Sequence, residues 1–420
     1  MRAVSERTAI LSFVAVLSGC ALNSNSAGLA AGTPPISQLR CASSEVVLHF
    51  DFPGASPARC VIEGDRKFAL VIAPEHAPPI NPSPWYAFRY TAPRGGEVTV
   101  RLDYLVAKHR YAPKLMRDGR ISELPVSLAK NGRSALLTLP EGSGTVSAQP
   151  IVDASHFAAL ARKLARDHGG KRIELGRSRD DRPVWAIRFG KASAKKTIII
   201  LGRQHPPEVT GTYALEPFVR ELARRLQQDP QLGSRYQLLA IPLLNPDGVE
   251  RGHWRANRGG VDLNRDWGPF SQPETRAVRD WLEGHLAETS PVAMIDFHST
   301  TRNLFYVQGD EASDTSQRFL ETWLAGREKR FLRYAFTIER RNTAPGQTTA
   351  KNWFFNCFAI PAYTYEVSDD ANAADVAEAA EALAADLLSS LSVLSQTERS
   401  KERREQASSG QCPISTVWKR

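Results

Sequence analysis

Long apolar runs, clustered charge of one sign and internal repeats are all missing from the body of this 420-residue sequence. No internal stretch approaches the roughly 18 apolar residues that cross a bilayer, which excludes a polytopic membrane protein. The formal net charge of +9 is spread along the chain instead of forming a basic stripe with aromatic residues, so we expect no nucleic-acid partner. Attraction to anionic lipid, cell wall or acidic peptides stays open. Average apolar and charged fractions, 42% and 24%, exclude collagen-like and wholly disordered chains.

The N-terminus has the pattern of a secretory signal. Arg2 and Arg7 precede a short apolar run over residues 9–17. The letters LSGC that end this segment resemble a bacterial lipobox, in which the leader is cut before a cysteine that then carries lipid. A plain signal peptide, cut somewhere after Ala21, is the alternative interpretation.

The lipobox likeness predicts a signal peptide over residues 1–19 and a lipid on Cys20. Residues 20–40 would then form a tether, because the stretch 24–37 is rich in small and polar residues that cannot bury enough apolar area to fold. Alanine instead of aspartate after the lipidated cysteine favours the bacterial outer membrane, with the protein facing the periplasm or the cell surface.

Cysteines are few, and none has the C-x-x-C spacing that is typical of zinc sites. Apart from Cys20, four remain, and an even set in an exported chain favours disulfides over a metal cluster. Three pairings fit the sequence. We predict Cys41 with Cys60, which closes a loop worth roughly 3 kcal/mol in the chain-entropy model, and Cys357 with Cys412, which would pin the C-terminal tail.

Two patterns of apolar residues divide the chain near residue 150, as its length also favours two domains. Short alternating runs between proline and glycine clusters predict a β-sandwich-like N-terminal domain over residues 41–150. Beyond it, apolar runs alternate with amphipathic helices, which is typical of α/β proteins. We predict a mixed, mainly parallel sheet flanked by helices over residues 151–395 and a charged tail over 396–420.

Polar side chains stand at the ends of the predicted strands of the second domain. Ligands of open α/β sheets bind beyond the carboxyl ends of strands, so this placement is what an active site requires. The predicted strands are Lys196–Gly202, Tyr236–Leu244, Val292–Phe297 and Ile360–Val367, and the predicted helices are Ala154–His168, Tyr213–Leu226, Glu274–Leu286 and Ala373–Leu394.

Three of these polar residues are candidate metal ligands. His205 and Glu208, in HPPE, directly follow a strand, and His298 ends the strand in AMIDFHST. Zinc accepts such ligands at about 2.0 to 2.2 Å, and a catalytic site uses three of them and keeps one position open. Taken alone, each residue is more often an ordinary turn or cap residue, so the metal prediction depends on the segment between them.

That segment, NPDGVERGHWRANRGGVDLNRDW over residues 245–267, concentrates Arg255, Arg258, Asn264 and Arg265. A substrate anion or a developing oxyanion beside a metal needs such donors. Arginines on a loop are ordinarily solvated, and NPDG alone is ordinarily a turn. The setting of glycine and asparagine around these arginines favours a binding site.

Glu366, in YTYEVSD, ends a strand that is otherwise apolar and aromatic. A carboxylate in this position is paired, caps the following turn or is catalytic. Near a bound water, it can take a proton and pass it to a leaving amine.

In their order along the chain these motifs resemble those of the M14 family of zinc carboxypeptidases. The resemblance implies one Zn²⁺ ion held by His205, Glu208 and His298. It further implies that Arg255 polarises the scissile carbonyl and stabilises the oxyanion, and that Glu366 accepts a proton from the attacking water.

The same resemblance implies that Asn264 and Arg265, in DLNR, grip the C-terminal carboxylate of the substrate. Within the family the likeness is greatest to the cytosolic-carboxypeptidase branch, because NPDGV through DLNR has the same length there. The segment PSPWYAFRY, Pro82–Tyr90, also has a counterpart in the β-rich region of that branch. The likeness covers roughly residues 65–390.

One family feature is missing. The tyrosine that pancreatic-type enzymes carry about 22 residues before the catalytic glutamate falls here at Ala344, and Tyr334 is the nearest upstream substitute. The same count places Lys351 at the residue that lines the side-chain pocket, with Trp353 two residues on. A lysine there implies a preference for acidic C-terminal residues, as in the deglutamylating branch; a solvated loop lysine is the alternative.

We therefore predict a zinc-dependent metallocarboxypeptidase, a hydrolase that removes the C-terminal residue of peptides or proteins. Its partners would be peptide or protein C-termini and, through Cys20, the membrane. The alternatives are a peptidase of peptidoglycan stem peptides, an N-acyl amino acid deacylase or a lipid-anchored binding protein with a degenerate site. The NPDG turn, Arg255 and the β-rich region favour a peptidase over a deacylase.

Overall fold

A computed structural model describes residues 39–56, 59–341 and 348–391. The predicted signal peptide, the lipid site on Cys20 and the charged tail lie outside the described residues, as do Cys412 and Ala344. Among the helices that the structure describes, none combines the length and apolar character that a membrane span needs.

The N-terminal region contains two packed sheets. One has the strand order β1-β2-β5-β11-β7-β8 and the other β3-β4-β6-β10-β9, and in the second only β4 and β6 run parallel. The strands are β1 (Arg40–Ala42), β2 (Val47–His49), β3 (Arg59–Gly64), β4 (Lys67–Ile72), β5 (Ala87–Ala92), β6 (Val98–Tyr104), β7 (Lys114–Arg117), β8 (Arg120–Glu123), β9 (Val126–Leu128), β10 (Ser134–Leu139) and β11 (Gly142–Ser147).

Alternating burial explains how the two sheets form one core. Along β6, Val98, Val100, Leu102 and Tyr104 point inward while the residues between them are partly exposed, as expected for a strand with one buried face. Side chains from both sheets share one hydrophobic cluster. The predicted β-sandwich is thus confirmed, and the predicted disulfide between Cys41 and Cys60 joins β1 to β3.

The second region is built on an eight-stranded sheet with the order β12-β13-β15-β14-β16-β19-β17-β18. The four central strands and the pair β17 and β18 run parallel, while the other pairs are antiparallel, so the mixed, mainly parallel sheet is confirmed. The strands are β12 (Lys171–Arg177), β13 (Pro183–Phe189), β14 (Lys196–Gly202), β15 (Tyr236–Ile241), β16 (Ser290–Thr300), β17 (Leu304–Gln308), β18 (Thr337–Arg341) and β19 (Ala362–Ser368).

Helices cover both faces of this sheet. Side chains of α1, α2, α6 and α8 pack on one face, and those of α5 and α7 on the other. The helices are α1 (Ala154–Asp167), α2 (Val209–Gln228), α3 (Pro230–Arg235), α4 (Pro246–Glu250), α5 (Pro273–His285), α6 (Asp314–Trp323), α7 (Ala350–Phe358) and α8 (Ala373–Ser390), and a 3-10 turn spans Leu263–Arg265.

The two regions are joined by a continuous core. Val209, Val249 and Trp254 of the α/β region belong to the same hydrophobic cluster as the sandwich. Backbone contact adds to this, since the N–H of Gly54 donates to the carbonyl of Glu250 at 2.9 Å. The boundary near residue 150 stays a prediction, and the hydrophobic core continues from one region into the other.

Glu274, in the first turn of α5, is a buried acid away from the strand ends. It is fully buried, and one carboxylate oxygen accepts from Nδ2 of Asn257 at 2.9 Å, while the other has no hydrogen-bond partner within the described residues. Burial raises the pKa of Glu274 from 4.5 to about 7. Between these pH values the folded protein keeps the proton that the unfolded chain loses, so stability falls as pH rises through this window.

We expect Glu274→Gln to be more stable than the wild type at pH 8, because a neutral amide is less costly to bury than a carboxylate. The gain in the free energy of unfolding should be on the order of 2 kcal/mol at pH 8 and smaller at pH 5. Thermal denaturation at the two pH values measures it. Glu283→Gln, at a partly exposed position of the same helix, is the control. Equal or lower stability of Glu274→Gln at pH 8 would contradict this account.

Candidate active site

Three predicted metal ligands converge at the ends of two neighbouring strands. Nδ1 of His205 lies 2.8 Å from Oε1 of Glu208, and Nδ1 of His298 lies 2.7 Å from Oε2 of the same carboxylate. The two Nδ1 atoms are 3.1 Å apart. All three side chains are almost fully buried, and their ligand atoms lie within 4.8 Å of one another. Two imidazoles and a carboxylate are the donor set of a catalytic zinc site.

The outer nitrogen of each imidazole is held by a carboxylate. Nε2 of His205 lies 2.9 Å from Oδ1 of Asp262, and Nε2 of His298 lies 2.7 Å from Oδ2 of Asp296. Such carboxylate–histidine pairs fix the ring so that the other nitrogen faces a metal. The arrangement therefore fits zinc in its ring orientation as well as in its donors.

Local packing brings the ligand segments together. The turn 203–208 joins β14 to α2, whose N-cap residue is Glu208. A Cβ on Gly211, in the first turn of α2, would lie 2.7 Å from the carbonyl oxygen of His298. The side-chain oxygen of Ser299 accepts from the N–H of Gly211 at 2.8 Å. A glycine is needed here because the helix touches the backbone of β16 at a metal ligand.

The NPDG segment is more than an exposed turn. Asn245 caps α4 by accepting from the N–H of Gly248 at 2.9 Å and donates to the carbonyl of Gln204 at 3.0 Å. Asp247 is fully buried and accepts from Ser178 and Arg182 at 2.7 and 2.9 Å. These bonds attach the segment to the turn after β14, which carries His205 and Glu208, and to the turn between β12 and β13.

Arg255 enters the cleft next to the ligand triad. Its Nε donates to Oδ2 of Asp262 at 2.6 Å, and its Nη1 lies 4.0 Å from Oε1 of Glu208. Burial raises the pKa of Asp262, but His205 and Arg255 outweigh it and hold this pKa well below the usual range. Asp262 thus stays ionised and links the predicted metal ligand His205 to Arg255, the predicted oxyanion donor.

Asn264 and Arg265, the predicted carboxylate clamp, follow Asp262 in the chain and line the same cleft. Asn264 is buried, accepts from the N–H of Ala350 at 2.9 Å and has its side-chain nitrogen 3.3 Å from Nε2 of His298. Arg265 lines the cleft but is exposed, with Nη1 donating to the carbonyl of Asn264 at 2.7 Å. Arg258 lies elsewhere, with its guanidinium 3.5 Å from Asp180.

Glu366 faces the ligands from the adjacent strand. It pairs with His298 in the parallel register of β16 and β19. Its Oε2 is buried and has no hydrogen-bond partner among the described residues. Burial raises the pKa of Glu366 to about 7, although His298 beside it lowers this pKa. An unpaired carboxylate oxygen aimed at a metal site is suited to proton transfer.

Lys351 also lines the cleft, but it is not a solvated loop residue. It lies in α7 and is 7% exposed, and its Nζ donates to the carbonyl of Arg341 at 3.2 Å. Burial lowers the pKa of Lys351 to about 8. A cation that lacks full solvation gains most from an incoming carboxylate.

Tyr334 does not occupy the place of the missing tyrosine, so this interpretation is wrong. It is buried in the core on the far face of the sheet. Tyr306 on β17 does line the cleft, and the guanidinium of Arg341 stacks on its ring at 4.2 Å.

All eight predicted site residues line one cleft of about 770 Å³. The sandwich contributes part of the wall through Asn81, Pro82, Ser83 and Arg110. Arg110 is fixed from both regions, because it donates to Oγ of Ser83 at 2.9 Å and to Oδ2 of Asp369 at 2.8 Å.

Three residues of the site were not predicted from the sequence: Asp262 and Asp296, which hold the histidine rings, and Arg110, which forms part of the cleft wall. Asp262 stands in the same DLNR motif as the predicted clamp, and Asp296 stands two residues before His298, so a search for carboxylates within the motifs would find both. Arg110 lies in a part of the chain with no motif, and only folding brings it to the cleft.

Comparison with known proteins agrees with this architecture. The metallo-carboxypeptidase from Burkholderia cenocepacia superposes with a TM-score of 0.69 at 19% identity, over 83% of this chain and 99% of that one. The metallo-carboxypeptidase from Pseudomonas aeruginosa, in complex with (2-guanidinoethylmercapto)succinic acid, gives 0.63 at 21% identity, over 84% and 99%. At these identities the likeness shows the fold, and it spans both regions.

The relatives that are similar in sequence include proteins named cytosolic carboxypeptidases. Cytosolic carboxypeptidase 2 of Danio rerio is 33% identical over 134 residues, 31% of this chain and 19% of that protein. Cytosolic carboxypeptidase 6 of Mus musculus is 33% identical over 122 residues, 27% and 23% of the two chains. The aligned part thus spans less than a quarter of either relative. The family model described as zinc carboxypeptidase, Peptidase M14, matches residues 158–385. Because that match covers more than half of the sequence, the chain belongs to the zinc carboxypeptidase family, peptidase family M14.

Proposed function

We propose that this protein is a zinc-dependent carboxypeptidase that removes the C-terminal residue of peptides or proteins. The observation that carries the proposal is the buried, unpaired Oε2 of Glu366 beside the His205–Glu208–His298 triad, in one cleft with Arg255. A proton acceptor, a metal triad and an oxyanion donor in one cleft are the groups that peptide hydrolysis needs.

His205, Glu208 and His298 would hold the zinc, which when bound supplies a Lewis acid that polarises the carbonyl and lowers the pKa of water. Glu366 would accept the proton of the attacking water and pass it to the leaving amine. The raised pKa of Glu366 suits both steps, because a group that titrates near neutral pH can take and return a proton.

Arg255 would donate to the carbonyl oxygen as negative charge develops on it. Its ion pair with Asp262 fixes the guanidinium before substrate arrives, so little reorganisation is needed during the reaction. Asp262 acts on both sides, since it also holds the ring of His205.

Selection for a free C-terminus would come from Asn264 and Arg265. Both face the same cleft, and charge-assisted bonds to a carboxylate contribute roughly 1.5 to 3 kcal/mol each. Arg265 is exposed without substrate, so its guanidinium is available for an incoming carboxylate.

A preference for acidic terminal residues is the finer part of the proposal. The cleft is lined by five basic residues, Arg110, Arg255, Arg265, Arg341 and Lys351, against two acidic residues, Glu208 and Glu366. An excess of positive charge in a cleft attracts anionic substrates. Lys351 is the candidate partner of the terminal side chain, because its buried ammonium contacts only carbonyl groups in the described bonds.

We also propose, from the N-terminal sequence, that a lipid on Cys20 anchors the protein to the bacterial outer membrane. Metabolic labelling with a radioactive fatty acid would test it. Incorporation into the wild type and none into Cys20→Ser supports the anchor, and equal incorporation rules out this cysteine.

The activity is tested with purified protein that lacks residues 1–37 and matched peptides ending in Glu, Lys, Phe or amidated Glu. We expect zinc-dependent release of the terminal residue from the free-acid peptides alone, fastest for Glu, and complete loss with a chelator. Release from the amidated peptide at the same rate would contradict the carboxypeptidase assignment. Release from purified muropeptides in place of these peptides would favour a cell-wall peptidase.

Glu366→Gln should keep zinc and lose most turnover. The amide fills the same space but cannot accept the proton, and loss of a general acid–base group costs about 10²- to 10⁴-fold in kcat. Metal content by atomic absorption and kcat on a Glu-ended peptide measure the two effects. Glu321→Gln, at an exposed position of α6, is the control with the same change of charge. Retained turnover in Glu366→Gln would rule out this base.

Arg265→Ala should raise KM for free-acid peptides about 10- to 100-fold, because charge-assisted hydrogen bonds to the terminal carboxylate are lost. Slow cleavage of the amidated peptide, if measurable, should not change. Arg258→Ala removes an arginine of the same segment that pairs with Asp180, and should behave as the wild type. An equal KM in Arg265→Ala and wild type would contradict the proposal that Arg265 binds the terminal carboxylate.

Lys351→Ala should lower kcat/KM for Glu-ended peptides about tenfold or more and leave Phe-ended peptides nearly unaffected, because one desolvated ion pair is lost. The ratio of the two kcat/KM values measures the preference. Lys329→Ala, at an exposed position outside the cleft, is the control. Full activity of Lys351→Ala on Glu-ended peptides would remove the side-chain assignment and leave the metal site unaffected.

A further inference from the structure

The carboxylate of Glu75, in the N-terminal β region, binds the backbone of the loop that contains Arg255. Glu75 lies in the connection between β4 and β5, and its side chain is 8% exposed. Its Oε2 accepts from the N–H of Trp254 at 2.7 Å. Its Oε1 accepts from the N–H of Arg255 at 3.1 Å and from that of Ala256 at 2.8 Å. Three consecutive backbone donors thus converge on a single ionisable side chain.

The segment that Glu75 holds has no helix or strand to stiffen it. Residues 253–257 lie between α4 and the 3-10 turn, and the hydrogen bonds of the backbone N–H groups of residues 254–256 go to Glu75. Buried N–H groups without partners are costly, so loss of this carboxylate would favour another loop conformation.

Further contacts with the sandwich fix the same loop. Trp254 is buried in the core of the sandwich. Gly252 has φ of +60°, and a Cβ there would lie 2.4 Å from the carbonyl oxygen of Ala55. Only a glycine permits this approach. The loop is therefore positioned by the N-terminal region as well as by the sheet that carries the metal ligands.

The position of this backbone decides where the Arg255 guanidinium lies. The side chain must reach Asp262 at 2.6 Å and the neighbourhood of Glu208 at once. A displacement of about 1 Å at such a donor lowers rate about 10²-fold, because oxyanion stabilisation requires close alignment.

We propose that Glu75 is a positioning residue for peptide hydrolysis, which acts by fixing the Trp254–Arg255–Ala256 backbone. The N-terminal β region then completes the active site by supplying this carboxylate. The inference rests on the proposed function, since it presumes that Arg255 stabilises the oxyanion.

The test compares full-length, zinc-loaded Glu75→Gln with wild type on a Glu-ended peptide. A glutamine offers one acceptor oxygen and turns an N–H₂ group toward the backbone donors. We expect kcat to fall about 10- to 100-fold with KM within about threefold, because substrate binding does not depend on the oxyanion donor. Glu97→Gln, an exposed position of the same region, should keep the wild-type kcat.

A double-mutant cycle distinguishes a Glu75 that positions Arg255 from a Glu75 that only stabilises the contact between the two regions. In an Arg255→Ala background, Glu75→Gln should cost little further kcat, because the residue through which it acts is gone. Amide hydrogen exchange over residues 254–256 should accelerate in Glu75→Gln, while exchange in β14 stays slow. Glu75→Asp, which keeps the charge on a shorter side chain, should give a kcat between wild type and Glu75→Gln.

An unchanged kcat in Glu75→Gln overturns the proposal, even if the melting temperature falls, since Glu75 would then only join the regions. An equal loss of kcat in both backgrounds overturns it as well. If Glu75→Gln does not fold, kcat is measured in Glu75→Asp instead. An unchanged kcat in that variant also overturns the proposal. Wild-type kcat in Arg255→Ala would instead contradict the role of Arg255 in the proposed function, whatever Glu75 does.

Discussion

Parallel pairing of β14, β16 and β19 is the constraint on which the site depends. Because parallel strands end at the same edge of a sheet, the turn after β14 delivers His205 and Glu208 beside His298 at the end of β16. The register of β16 and β19 then places Glu366 directly opposite His298. A slip of one residue in β19 would turn Glu366 to the other face of the sheet, away from the three candidate metal ligands.

The buried imidazoles and guanidinium of the site need polar partners that replace water, and most of these partners are carboxylates. Asp262 and Asp296 each hold an imidazole, and Asp262 also binds Arg255. Charges removed from water cost several kcal/mol each unless partners replace their hydration. The site is therefore a connected network, in which Asp262 contacts the candidate ligand His205, Arg255 and Asn264 at once. The sandwich takes part in this network through Glu75 and Arg110.

Features that depend on neighbouring residues could be predicted from the sequence, whereas contacts that form only on folding could not. Strand β14 was predicted to the residue, because an apolar run between turn residues is a local pattern, while β15, β16 and β19 were predicted with ends that differ by one to three residues. The candidate metal ligands and Glu366, which the structure brings into one cleft, could be selected from the sequence because each stands at a strand end within a short motif. Tyr334 was a wrong substitute for the missing tyrosine, since nearness along the chain does not show that a side chain is buried in the core. Glu75 lies about 180 residues before the loop that it holds, and no local pattern marks a contact that exists only after folding.

The central claim is that one buried His–Glu–His site must hold zinc for a C-terminal residue to be released. The most direct measurement is a zinc titration of chelator-treated protein, with bound metal and release from a Glu-ended peptide recorded together. The account predicts that activity rises in proportion to zinc and reaches a plateau at one ion per chain. Full activity of the metal-free protein, or none after one zinc has bound, would contradict it.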